Sequence, residues 1–174
     1  MLLRLFALLF IAVASPAAAG GLPDAQSLNL VVAGSVPQHC ALGSVQDMDF
    51  GNLERRGLRL EARVAFDCNV PFSMVITGAT GALTHTTMPS GQGPYGGAVP
   101  YELGVTLPLR HPAVRLLSQT FASRQLMAGG MISSQGAIAT DGMTLNIQLG
   151  RPAGEAGLLG GQYSETITIS VSPL

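Results

Sequence analysis

The side chains in this sequence best suited to chemistry are few: two thiols, Cys40 and Cys68, and three imidazoles, His39, His85 and His111. A structural metal site needs about four such ligands at short spacings, usually including C-x-x-C. Neither cysteine sits in such a motif, and the histidines show no ligand spacing. In an oxidising compartment, an even pair of cysteines in a small domain points to a disulfide. Closing the Cys40–Cys68 loop would stabilise the fold by about 3 to 4 kcal/mol on the chain-entropy estimate. Hydrolytic chemistry has no foothold, because neither a G-x-S-x-G elbow nor an H-E-x-x-H helix motif occurs. Asp47 and Asp49 share one face of an extended stretch, but carboxylates this close in sequence read as solvated loop residues rather than a glycosidase pair. The expectation is therefore no enzyme, no metal and no cofactor.

Charge removes further classes. Nine basic and ten acidic residues give a net charge of −1, and Lys is absent altogether. Nothing resembles the basic patch that a nucleic-acid backbone or an anionic membrane surface requires. The absence of Lys itself carries no functional weight.

The elements that must position the remaining candidates begin with "MLLRLFALLFIAVASPAAA", one Arg followed by an apolar run and small residues. The run from Leu5 to Ala14 is too short to span a bilayer, so residues 1–19 read as a secretory signal peptide rather than an anchor. Export is expected, and residues 20–174 suit one domain with its own core. The 22 Gly and 11 Pro, the many Ser, Thr and Val, and 11% charged residues describe short strands joined by turns.

Period-two alternation then marks the strands. Leu28, Leu30, Val32 and Val36 share a face with Gly34 in the same phase, predicting an extended segment over 28–36. Leu58, Leu60, Ala62, Val64 and Phe66 alternate with Arg59, Glu61, Arg63, Ala65 and Asp67. Phe72, Met74 and Ile76 follow until Gly78. A short segment surrounds Leu83, and "PSGQGPYGGAVP" is a Gly/Pro-rich loop expected to hold no regular structure. "YELGVTLPL" and "RLLSQTF" are shorter candidates whose edges Pro108 and Pro112 obscure. Met143, Leu145, Ile147 and Leu149 alternate after the turn pair Asp141-Gly142. The closing stretch "YSETITISV" sets Tyr163, Glu165, Ile167, Ile169 and Val171 on one side and Ser and Thr on the other. Six or seven such strands predict an all-β, immunoglobulin-like antiparallel sandwich. Because Pro173 and Leu174 follow at once, no later strand is expected to cover the closing one, and the sandwich is expected to lack its last strand.

An ordered set of features carries a family resemblance: a cysteine after an N-terminal strand, "MDFGNL", "VAFDC", the Tyr opening "VPYELG", and the terminal "AGLLGGQYSETITISV". Together they resemble the spore coat protein U domain family, over nearly the whole chain from about Leu28. Members of that family are similar to pilus subunits of archaic chaperone-usher systems. The resemblance implies a fold open beside its final strand. A periplasmic chaperone first completes it, and then the N-terminal extension of another copy or a sibling subunit does so at an outer-membrane usher. On that reading residues 20–36 are the extension, with Leu28, Leu30, Val32, Gly34 and Val36 as donor strand. Residues 37–174 are the pilin-type domain, whose acceptor groove is edged by Tyr163, Ile167, Ile169 and Val171. The expected function is a structural subunit of a surface fibre, exported through the periplasm to the cell surface and engaged in adhesion or biofilm. Residues 28–36 also fit the alternative that they form the first strand of a closed, self-contained secreted binding module or coat protein.

Three local features qualify the picture. Phe50 and Gly51 read as a core aromatic followed by a turn or bulge. Glu165 stands where the family often shows Asp, and a buried carboxylate there would need a partner. A binding module would present ligands on loops, but the 89–100 loop offers a single aromatic, Tyr95, and no charge with which to clamp a sugar.

Overall fold

The computed structural model describes residues 27–152 and 154–174; the expected signal peptide, 1–19, and the start of the extension lie outside them. The chain divides between Ser35 and Val36. In the first part, residues 27–35 carry no strand, and Leu28, Leu30 and Val32 are more than 80% exposed.

The second part, Val36 onward, is built from twelve strands and one short helix. In chain order they are β1 (Cys40–Leu42), β2 (Arg59–Val64), β3 (Phe66–Cys68), β4 (Phe72–Gly78), β5 (Leu83–His85) and β6 (Ala98–Val99). There follow β7 (Tyr101–Leu109), β8 (Arg115–Ala122), α1 (Ser123–Leu126), β9 (Gly130–Ser133), β10 (Met143–Leu149), β11 (Tyr163–Ser164) and β12 (Ile167–Pro173). Two sheets form an antiparallel sandwich, one in the order β2-β10-β7-β8 and the other β12-β4-β9. Two smaller sheets, β1-β3 and β11-β5-β6, flank them.

The inward faces follow the sequence alternation. Phe72, Met74 and Ile76 of β4 meet Leu103, Val105 and Leu107 of β7 in a core from which solvent is almost excluded. Phe66 and Phe72 pack edge to face with ring centroids 4.9 Å apart, an arrangement the ring quadrupoles favour. β7 runs through Pro108 because its ladder with β10 ends at Thr106. By Pro108 the strand has one neighbour rather than two, and a missing N–H is tolerated there.

The loop expected to lack regular structure is in fact ordered. Gln92 and Tyr95 exchange backbone hydrogen bonds, Gly96 is bridged to Leu158, and Ala98–Val99 pair with β5. Gly97 is held so closely that a Cβ there would lie 2.1 Å from the Met88 carbonyl oxygen.

β8 and β9 are joined through α1 and the turn that follows it, so those edges lie together. At the other ends of the two sheets, β2 and β12 each have one hydrogen-bonded neighbour among the described residues, and β1 lies against β12.

Candidate functional site

β12 has one hydrogen-bonded neighbour, β4, in the register Ile167↔Gly78, Ile169↔Ile76 and Val171↔Met74. These three side chains point inward with the same phase as Met74 and Ile76, yet they remain half-buried where the β4 residues are fully buried. Ile147 and Leu149 of β10, and Leu58, Leu60 and Ala62 on the β2 side, are likewise half-buried. Ile167, Ile169 and Val171 thus form a half-buried apolar strip along β12. The outward residues of β12, Thr168, Ser170 and Ser172, are exposed. The free edge of β12 offers backbone N–H and C=O groups and, behind them, incompletely buried hydrophobic surface, the combination that invites another strand.

The disulfide closes one end of this strip. Cys40 of β1 pairs with Cys68 of β3 and is bonded to it, as the cysteine count predicts. Beside it, Leu174 N–H donates to the Pro71 carbonyl at 2.8 Å. Just before Cys40, the amide side chain of Asn69 binds residues on either side of Gln38, accepting from His39 N–H and donating to the Pro37 carbonyl.

A polar group marks the other end. Glu165 receives Thr80 N–H at 3.1 and 3.2 Å, and the Thr80 hydroxyl donates to the same carboxylate. Thr80 is the partner that this carboxylate requires and that no sequence pattern identifies. The nearby Tyr101 hydroxyl is buried without a hydrogen-bond partner. Burial, and secondarily the Glu165 charge, hold its pKa well above the usual phenol range. Gly78, opposite Ile167, leaves little room for a side chain, since a Cβ would lie 3.0 Å from that hydroxyl.

Tyr163 does not join β12. The continuous strand expected over 163–171 is split, and Tyr163 lies in β11, paired with His85 of β5. Its hydroxyl donates to the Leu159 carbonyl at 2.7 Å, and its ring packs edge to face on His85 at 5.2 Å. Burial raises its pKa. His85 is itself buried: Nδ1 accepts from Thr87 N–H and Met88 N–H, and Nε2 donates to the Gly160 carbonyl. Tyr163 and His85 thus pin the turn that delivers the chain into β12.

A cleft of about 390 Å³ lies between residues 48–54 and 158–163. Phe50 on its wall is half-buried rather than core, and Gly51 turns at φ 66° with its N–H capped by Asp49. Asp49 is thereby committed to a turn, and among the described residues no group of three or more potential metal ligands occurs.

No protein-family model, curated protein or solved structure matches this chain.

Proposed function

We propose that this chain is a structural subunit of a surface fibre, assembled by donation of a strand from one subunit to the next. The observation that carries the reading is a complementarity: an edge strand with a half-buried apolar face, and a segment of matching alternation, residues 28–36, whose apolar side chains are exposed. The resemblance to the spore coat protein U domain family supports the same reading. It extends it to an immunoglobulin-like fold short of one strand, to export by a signal peptide, and to a periplasmic chaperone and an outer-membrane usher as partners. The disulfide is compatible with that route.

Every ladder between named strands here is antiparallel, and a donated strand entering in the same sense has a natural register. Leu28, Leu30 and Val32 come level with Val171, Ile169 and Ile167. Gly34 then comes level with Glu165, where an absent side chain leaves the carboxylate undisturbed. Each fully buried anchor contributes roughly 1.5 to 3 kcal/mol before ordering costs. Main-chain bonds along β12 add to this and cover an otherwise adhesive edge.

The test is electrophoresis of surface extracts in SDS without boiling, comparing the full chain with one lacking residues 20–33. A boil-sensitive ladder that disappears on truncation is expected. A monomer band from both, with a stable purified monomer, would overturn the proposal in favour of a self-contained binding module.

A further inference from the structure

The three residues before β1 carry more bonds than their packing explains. Pro37, Gln38 and His39 are exposed and add nothing to the core. Yet Asn69 Nδ2 donates to the Pro37 carbonyl at 2.9 Å, Asn69 Oδ1 accepts His39 N–H at 2.9 Å, and Asn69 N–H donates to the His39 carbonyl at 3.1 Å. His39 Nε2 also lies 3.3 Å from the Asp67 carboxylate, and Cys40 is bonded to Cys68. A single asparagine therefore grips the backbone of 37–39 with donor and acceptor at once, as the two ends of a planar amide allow.

We infer that Asn69 is a positioning residue that sets the stiffness of the assembled fibre by removing slack between each domain and the strand it donates. The inference rests on the strand-donation reading. With the backbone held from Pro37 onward, only Ser35 and Val36 separate the clamp from Gly34. Three residue steps span at most about 10 Å. Consecutive domains must then abut, and the joint between them has few rotatable bonds. Without the clamp the free linker would lengthen to include 37–39, and its bending freedom would grow accordingly.

The experiment measures persistence length by electron microscopy of fibres from cells making the full chain, Asn69→Ala or Asn69→Asp. The unboiled ladder and the thermal midpoint are followed in parallel. Asn69→Ala is expected to retain the ladder while persistence length falls at least twofold. Asn69→Asp keeps the acceptor for His39 N–H but places a carboxylate against the Pro37 carbonyl, and should fall between. If Asn69→Ala does not fold, a Gly-Ser insertion between Val36 and Pro37 leaves the clamp intact, adds slack outside it, and should soften the fibre equally. An intact ladder with unchanged persistence length in Asn69→Ala, or in the insertion, overturns the role of Asn69 alone. Absence of any ladder from the full chain overturns the strand-donation reading and this inference with it.

Discussion

At the scale of single residues, the polar end of the β12 strip is where side-chain chemistry is most exacting. The Tyr101 hydroxyl is buried without a partner, and such a group costs about 1 to 3 kcal/mol. Tyr101→Phe should therefore raise stability by about 1 kcal/mol, read as a higher urea midpoint with an unchanged slope; a lowered midpoint would show that the hydroxyl is bonded. The raised pKa gives a second, signed expectation. Below pH about 10 the phenol is protonated in both folded and unfolded chains, and stability is independent of it. Above that the unfolded chain loses a proton that the folded chain keeps, so stability falls with rising pH by up to about 1.4 kcal/mol per unit. Tyr163 acts in the same direction, so Tyr101→Phe should flatten the alkaline decline without abolishing it. At the disulfide, replacing Cys40 and Cys68 together with Ala should cost about 3 to 4 kcal/mol in denaturant unfolding. Equal midpoints for the two proteins would show that the bond does not form in the cell.

At the scale of elements, β12 and residues 28–36 are the pair that matters, and the proposed register is open to a direct check. Asn29 and Ser170 would face one another on the outer side of the ladder, where facing Cα atoms lie about 4.5 to 5.5 Å apart and a disulfide can form. Asn29→Cys with Ser170→Cys should give covalent multimers under oxidation. Asn29→Cys with Thr168→Cys, two residues out of register, should not. Efficient cross-linking of the second pair alone would mean a shifted register. Most of these elements are legible in the sequence, because the sheets alternate buried and exposed side chains with period two. Leu58 to Phe66, Phe72 to Ile76 and Met143 to Leu149 all turn the predicted faces inward. The split between β11 and β12 is not legible, because Tyr163 and Glu165 continue the alternation while being held by different partners, His85 and Thr80. The order in the 89–100 loop is equally invisible, since it comes from backbone bonds to distant loop residues, Gly157 and Leu159 among them.

At the scale of the whole molecule, the strand-donation reading predicts a domain stabilised from outside. A protein lacking residues 20–33 should melt several degrees higher in the presence of a peptide spanning 26–36. An excess of one hundred times its Kd contributes about 2.7 kcal/mol. A scrambled peptide should produce no shift, and an equal shift from both would mean that the strip binds any apolar chain without regard to register.

The sequence by itself determined the class of fold, the disulfide, and which face of each strand turns inward, because these follow from local alternation and from residue chemistry. Only the tertiary structure decided how far inward those faces go. Alternation reports the side on which a side chain lies, whereas burial depends on what covers that side. Ile167, Ile169 and Val171 read in sequence like the residues of β4, and they differ because β4 has a strand on each side and β12 has one. The polar partners were hidden for the same reason: Thr80 reaches Glu165, and Asn69 reaches Pro37, across separations that only the folded chain closes.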